Sequence, residues 1–173
     1  MIKSKQRRFL ALYEPIHDRF ERFCRARVYG EMEYTDLMNE TLLVAFEKLD
    51  SLRSEGAFLS YLFSIAVRLL ANDHRKMKPE RMISAETGQG IAASDSTEHS
   101  MEVQLLHRAL AELNEDQREA LILFEISGFS IREVAEIQNA SESAVKQRLK
   151  RGRERLGQIL SFESELKTGK EVI

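Results

Sequence analysis

Basic side chains concentrate in one short stretch near the C-terminal end of the chain. Between Lys146 and Arg155 six of the ten residues are Lys or Arg and one, Glu154, is an acid. The whole chain has a net charge of −2, so overall composition does not explain this cluster. Cations at this density bind phosphates, and Gln147 among them is a residue type that reads base edges. The alternative is a surface helix whose charges are only solvated. The clustering favours a nucleic-acid-binding surface.

The residues around this stretch predict a helix-turn-helix. Ser130 and Glu133 have the spacing of a capping box, which satisfies free backbone N–H groups at the start of a helix. The apolar side of that first helix consists of Val134, Ala135 and Ile137. Residues 138–140 should break it, and Ser141 is a suitable N-cap for the next helix.

The second helix of the motif has two different sides. Its apolar positions recur at helical spacing and are Val145, Leu149, Gly152 and Leu156. The opposite side carries Lys146, Gln147, Lys150 and Arg151. A compact helix pair with such a face has the shape of a DNA reader whose second helix lies in the major groove.

Composition predicts an all-α protein of two small domains. The chain of 173 residues has few Gly and Pro, and its apolar positions recur at helical spacing. Residues 1–78 have a net charge of +3 and residues 79–103 a net charge of −4. The latter segment is rich in Ser, Thr and Gly, so we interpret it as a flexible acidic linker. A second domain then spans 104–160, and 161–173 form a tail; a long surface loop within one domain is the alternative to the linker.

Three helices are predicted in the N-terminal domain, over about 5–28, 35–50 and 57–76. The buried stripe of the first comprises Phe9, Leu12, Ile16, Phe20 and Phe23. The second has an acidic face with one leucine, which is either a solvated surface or a docking face for a basic protein. The third is apolar on most sides and has one polar strip. An aromatic ring among guanidinium groups suits unstacked bases, whereas buried hydrogen bonds are the alternative for Tyr61 and Asn72.

Other classes of function find little support in the sequence. No run of apolar residues is long enough to span a membrane, and the N-terminus lacks the apolar core of a secretory signal. The single Cys24 is compatible with a reducing cytoplasm and is expected to be a small buried hydrophobe. The four histidines and Cys24 do not have metal-ligand spacing, and there is no phosphate-cradling loop or nucleophile motif. We therefore expect no metal, no cofactor and no enzymatic activity.

Both halves resemble one family, the bacterial RNA polymerase sigma factors of the sigma-70 family, in the extracytoplasmic-function (ECF) group. In the N-terminal half the matching residues are Asp36, Leu37, Glu40, Tyr61, Leu62, Ile65, Ala66 and Arg75. In the C-terminal half they are Leu113, Gln117, Arg118, Glu119, residues 128–130, residues 133–135 and residues 145–148. The chain departs from the family pattern at Asn39, Phe46, Arg68, Asn72, Asn114, Ser143 and Ala144, and some of these departures affect which promoter bases are read.

The resemblance implies a role for each predicted surface. The helix-turn-helix would contact bases of the −35 promoter element through Ser143, Lys146, Gln147, Lys150 and Arg151. It would hold DNA phosphates through Arg118, Arg132, Arg148 and Arg153. The N-terminal domain would open and hold the −10 element through Arg53, Ser54, Tyr61, Ser64, Arg68, Asn72 and Arg75. Core polymerase would dock on Asp36, Asn39, Glu40, Leu43 and Glu47.

The implied partners are core RNA polymerase and promoter DNA, and the resemblance leaves open an anti-sigma factor as a third. A linker of 25 residues extends to at most roughly 80–90 Å. Promoter elements two helical turns apart are separated by about 70 Å, so the linker suffices only when extended. The alternative function is a stand-alone transcriptional regulator with the same helix-turn-helix, which would bind an operator tightly without polymerase.

Overall fold

The computed structural model of the chain describes residues 2–77 and 100–171, with side chains for 2–73 and 100–166. Within these ranges the chain forms helices and turns and no strand, which confirms the all-α prediction. The chain divides into two compact units, Met1–Ser96 and Thr97–Ile173. Most of the predicted linker, residues 79–99, lies outside the described residues. Its last residues, 101–103, form the first turn of a helix rather than linker.

The N-terminal unit consists of α-helices with short connections, some of which contain a 3₁₀ turn. The α-helices are α1 (Ile2–Tyr13), α2 (His17–Val28), α3 (Tyr34–Glu47) and α4 (Phe58–Met77). The 3₁₀ turns are Glu14–Ile16 between α1 and α2, then Leu49–Ser51 and Glu55–Ala57 between α3 and α4.

The prediction of one continuous helix over residues 5–28 was wrong. A 3₁₀ turn that begins at Glu14 separates α1 from α2, and it contains Pro15. Proline has no backbone N–H to donate and its ring clashes with the preceding turn, so it is tolerated where a new helical segment starts. Two helices therefore replace one, and Tyr13 at the end of α1 is buried.

Aromatic rings fill the core of the N-terminal unit. Phe20, Phe23 and Phe63 are fully buried, and the ring of Phe63 lies 5.3 Å from that of Phe20 and 5.0 Å from that of Phe23. Leu62 and Ala66 on α4 are buried as well, so α4 is enclosed on most sides as predicted. The exposed remainder of α4 is a narrow strip.

The C-terminal unit is built around a helix-turn-helix. Its helices are α5 (Met101–Ala111), α6 (Glu115–Leu121), α7 (Ile131–Gln138) and α8 (Glu142–Glu171), with a π-helical turn at Ile122–Ile126 after α6. Val134, Val145 and Leu149 are among its buried residues, and they lie on the helix sides that the sequence predicted.

Local capping fixes both ends of α7. The Ser130 hydroxyl accepts a hydrogen bond from the backbone N–H of Glu133 at 3.2 Å, and the Glu133 carboxylate accepts one from the N–H of Ser130 at 2.8 Å. The predicted capping box is therefore confirmed. Gln138 is the last helical residue rather than a breaker. The helix ends at Asn139, whose φ of 52° is left-handed and which is one of the few residue types that tolerate it.

The last helix runs past residue 160, the predicted end of the C-terminal domain. It continues to Glu171, so most of the predicted tail is helical. No proline interrupts it, and Gly157 alone is too weak a breaker to end a helix of this length. The extension carries exposed apolar side chains, Phe162 and Leu166 among them.

Candidate nucleic-acid interface

The first turns of α8 present the predicted DNA-reading face to solvent. All of its predicted base-contacting residues are exposed: Ser143, Lys146, Gln147, Lys150 and Arg151. On the other side of the same turns, Val145 is fully buried and Leu149 is 3% exposed. The backbone of α8 is thus anchored in the domain core while its polar face is free to enter a groove.

A hydrogen-bond network at the turn sets the orientation of α8. The side-chain amide of Gln138 belongs to this network. Its Oε1 accepts a hydrogen bond from Arg148 Nη1 at 3.0 Å, and its Nε2 donates one to the carboxylate of Glu119 at 3.0 Å. Arg148 also lies 3.7 Å from the carboxylate of Asp116. This network ties α6, the end of α7 and α8 together. The role of Gln138 was not predicted, because a glutamine at the end of a helix does not indicate which distant residues it contacts.

Of the four arginines predicted to hold phosphates, Arg118 does not fit. Its side chain lies in the core of the C-terminal unit and is 1% exposed, so it cannot reach a DNA phosphate. Arg132 is 81% exposed and 3.7 Å from Glu136. Arg153 is half-exposed, donates to the Glu125 carboxylate at 2.6 Å and lies over the Phe124 ring. These two and Arg148, which is one-quarter exposed, remain accessible.

The acidic face predicted on α3 is exposed along its whole length. It comprises Asp36, Asn39, Glu40, Leu43 and Glu47. Leu43 is 58% exposed, which is unusual for a leucine surrounded by acids. Leu37, Thr41 and Ala45 bury the opposite side of the same helix. An exposed leucine ringed by carboxylates suits a partner helix that is basic with apolar positions.

The residues predicted to engage the −10 element fall into two groups. Arg53 and Ser54 are exposed in the segment between α3 and α4, and Arg68 and Asn72 are exposed on α4. Ser64 is half-buried on the same strip. The other two predicted residues are Tyr61, which is half-buried, and Arg75, whose side chain lies outside the described residues.

Tyr61 has a packing role within the domain. Its hydroxyl donates a hydrogen bond to the backbone carbonyl of Ala45 at 3.1 Å, and its ring lies 6.1 Å from that of Phe58. Burial raises the pKa of Tyr61 above its ordinary value. The hydroxyl therefore satisfies the alternative expectation of an internal hydrogen bond, and the residue as a whole is half-buried.

A polar network joins Tyr13, at the end of α1, to titratable groups on α2. The Tyr13 hydroxyl and His17 Nδ1 are 2.7 Å apart, and His17 Nε2 is 3.4 Å from the Glu21 carboxylate. His17, Asp18 and Glu21 bring their ligand atoms within 4.8 Å of one another, a grouping that the sequence analysis did not anticipate. Arg25 donates to Glu21 at 2.7 Å, so this carboxylate already has a cationic partner. The grouping is thus part of an ion-pair chain.

Cys24 is fully buried in the N-terminal core, which confirms the prediction of a small buried hydrophobe. Burial, with a smaller contribution from the Glu21 carboxylate, raises the pKa of the Cys24 thiol. Such a thiol is protonated and poorly nucleophilic at neutral pH.

The two units define a two-domain, all-α DNA-binding protein, and comparisons with known proteins identify its family. Residues 12–79 match the family model described as Sigma-70 region 2, and residues 103–156 match Sigma-70, region 4. The ECF RNA polymerase sigma factor EcfG of Rhodopseudomonas palustris (strain TIE-1) is 34% identical over 134 residues, which cover 72% of this chain and 70% of that protein. The ECF RNA polymerase sigma factor SigW of Bacillus subtilis (strain 168) is 25% identical over 167 residues, 89% of each chain.

A solved structure agrees with this assignment. The sigma factor RpoE in complex with the anti-sigma factor NepR from Bartonella quintana matches with a TM-score of 0.73 and 30% sequence identity, over 93% of this chain and 98% of that chain. The chain therefore belongs to the sigma-70 family, in its ECF group, as the sequence resemblance predicted. It is a sigma factor, which directs RNA polymerase to promoters and binds both core polymerase and promoter DNA. In the described residues no helix is long and apolar enough to cross a membrane.

Proposed function

We propose that the exposed face of α8 reads the −35 element in the major groove. The observation that carries this proposal is the division of α8 into a buried side, with Val145 and Leu149, and an exposed polar side. Lys146, Lys150 and Arg151 suit guanine edges, and Gln147 suits adenine. Arg132, Arg148 and Arg153 hold flanking phosphates, which set the register of the helix but not its sequence preference.

The N-terminal unit acts on the −10 element in this proposal. Arg53 and Ser54 lie in the exposed segment that precedes α4 and contact the DNA strand as it opens. The strip on α4 supports the single strand, with cations on its backbone and one aromatic ring near its bases. The strip comprises Tyr61, Ser64, Arg68, Asn72 and Arg75.

The acidic face of α3 docks on the clamp helices of core polymerase. Exposure of every member of the face supports this assignment, because docking requires these side chains to be accessible. Leu43 supplies apolar area at the centre of the face, and the carboxylates steer a basic partner towards it.

The cellular role follows from these assignments. The chain itself positions polymerase and performs no catalysis, and it acts in the cytoplasm, where polymerase and promoters meet. Like the RpoE relative solved with NepR, it is a candidate to bind an anti-sigma factor that keeps it inactive. The stand-alone regulator considered from the sequence is not favoured, because the match to sigma factors extends over both units.

Run-off transcription with purified core polymerase tests the proposed function. A transcript that appears only when this protein is added supports it. Specific operator binding without any polymerase-dependent transcript would instead support the stand-alone regulator.

Matched substitutions test the individual surfaces. Gln147→Ala should weaken use of a −35-dependent promoter by about fivefold or more, since a good base contact contributes about 1–3 kcal/mol. Gln158→Ala, the same change at another exposed site on α8, should have little effect.

Leu43→Ala should weaken binding to core polymerase, whereas Leu10→Ala, at a leucine that is 50% exposed on α1, should not. Equal effects within either pair contradict the surface concerned.

A further inference from the structure

Helix α1 lies almost entirely outside the residues that match the sigma-70 region 2 family model, which begins at residue 12. Even so, α1 packs against both ends of the segment that joins α3 to α4. The ring of Phe9 meets the rings of Phe46 and Phe58 edge-on, at 5.6 and 5.7 Å. Phe46 lies in the last turn of α3 and Phe58 is the first residue of α4. One buried side chain of α1 therefore fixes the distance between the two ends of the connecting segment.

Two cations of α1 reach into that segment. Lys5 Nζ lies 3.1 Å from the carboxylate of Asp50, donates a hydrogen bond to the backbone carbonyl of Glu47 at 3.3 Å, and lies 5.2 Å from the centre of the Phe46 ring. The carbonyl of Glu47 is at the C-terminal end of α3, where the helix dipole favours a positive charge. Only 26% of the Lys5 side chain is exposed, so its charge is partly shielded from solvent at these contacts.

The second cation is Arg8, whose Nε lies 3.7 Å from the carboxylate of Glu55. Asp50 and Glu55 are on either side of Arg53 and Ser54, the pair assigned above to opening of the −10 element. Lys5 and Arg8 therefore hold the segment from both sides of that pair. They also neutralise the two carboxylates that would otherwise repel DNA phosphates there.

We propose that α1 is the positioning element of the promoter-opening segment, residues 48–57, and that Lys5 and Arg8 are its positioning residues. Neither side chain touches DNA in this proposal. They act through Asp50 and Glu55, which keep the backbone of the segment in place so that Arg53 and Ser54 face the DNA. The inference rests on the proposed assignment of this segment to the −10 element.

The expected effect falls on DNA opening rather than on folding. The apolar contacts of Phe9 hold α1 in place without the ion pairs, because Phe9 is 8% exposed and packs between two rings. Partly exposed ion pairs are individually weak, and two of them together account for a change of about twofold to thirtyfold in an equilibrium. That change should appear in opening of the −10 element, the step in which the segment must be held in one conformation.

The test uses holoenzyme assembled from core polymerase and the full chain. The double variant K5Q/R8Q should open the −10 element about tenfold less well than wild type, measured by fluorescence of a 2-aminopurine placed in that element. Its affinity for core polymerase should be unchanged, and its thermal unfolding midpoint should fall only modestly, so that the variant stays folded in the assay. Transcription from a promoter with a pre-opened, non-complementary −10 region should recover, since the step that needs the segment is then bypassed.

The matched control is K3Q/R7Q. Lys3 and Arg7 are exposed on the opposite face of α1. Substituting them removes one lysine charge and one arginine charge, as K5Q/R8Q does. This control should open DNA like wild type. Equal defects in the two double variants would show that α1 contributes only charge and would overturn the proposal, as would normal opening by K5Q/R8Q.

A charge reversal provides a second line of evidence that does not depend on the double variant. Lys5→Asp should impair opening, and adding Asp50→Lys should restore it if the two side chains act as a pair. Failure of restoration counts against the proposal. Absence of transcription by the wild-type holoenzyme would instead contradict the proposed function, so the two failures are distinguishable.

Discussion

At Gly152, α8 lies close against α6. A Cβ atom at this position would lie 2.9 Å from Leu121 Cδ1 and 3.3 Å from Leu121 Cγ. Leu121 is 3% exposed and has little room to move. Alanine favours the helix by about 0.5–1 kcal/mol relative to glycine, but overpacking a core costs about 1–3 kcal/mol. We therefore expect Gly152→Ala to lower the free energy of unfolding of the C-terminal unit by about 1 kcal/mol.

Gly157 provides the control for this prediction, since an added Cβ there meets no atom within 4 Å. Gly157→Ala should raise the free energy of unfolding by about 0.5–1 kcal/mol. Urea unfolding followed by far-UV circular dichroism measures both. A stabilisation of equal size at the two positions would show that α6 and α8 are farther apart than the structure indicates.

Cys24 offers a probe of the N-terminal core. Because burial and the Glu21 carboxylate raise the pKa of its thiol, the folded chain should hold it protonated at neutral pH and out of reach of reagents. We expect alkylation of Cys24 by iodoacetamide to proceed only through opening of the domain, at least about a hundredfold more slowly than in urea. Fast labelling of the native chain would contradict this, and the rate in urea is the reference.

At the scale of the element, the turn of the helix-turn-helix depends on the left-handed conformation of Asn139. Its φ of 52° costs about 1–2 kcal/mol for most residues and little for glycine. Asn139→Ala should therefore destabilise the C-terminal unit by about 1 kcal/mol, while Asn139→Gly should be nearly neutral. Chemical denaturation of both variants checks the difference. Equal losses would mean that side-chain contacts of Asn139, rather than its backbone, set its role.

The helix-turn-helix was predictable because its signals are local. The capping box of Ser130 and Glu133 fixes where α7 begins, and helical spacing places Val145 and Leu149 on the buried side of α8. The residues proposed to contact bases lie on the exposed side of α8, which is determined once its buried side is known. The acidic face of α3 was predictable for the same reason.

Most of what the sequence did not predict depends on tertiary packing, and one error has a local cause. Arg118 was assigned to phosphates because of its residue type, but its position on α6 points it into the core. The break between α1 and α2 has a local cause, Pro15, which the strong apolar periodicity on both sides concealed. The contacts of Lys5 and Arg8 were not predictable, since each joins residues more than forty positions apart in sequence.

At the scale of the whole molecule, charge is spread unevenly along the chain. The chain has a net charge of −2, but α1 carries four cations and no acid, residues 146–155 carry six cations and one acid, and residues 79–103 have a net charge of −4. Affinity for duplex DNA depends mainly on the number of phosphates that a protein neutralises. A chain with this balance should bind duplex DNA weakly by itself, and stable promoter binding then requires polymerase to hold both units on one DNA.

Under the proposed function, the length of the connection between the units limits which promoters can be used. From the end of α4 at Met77 to the start of α5 at Met101 there are 23 intervening residues, which span at most roughly 76–83 Å. Elements two helical turns apart require about 70 Å. Deleting ten residues from 79–99 reduces the reach to roughly 43–47 Å and should abolish run-off transcription while leaving binding to core polymerase intact. Replacing the same ten residues with Gly and Ser keeps the length and should keep most activity. Transcription by the shortened chain would show that the two units need not occupy both elements at once.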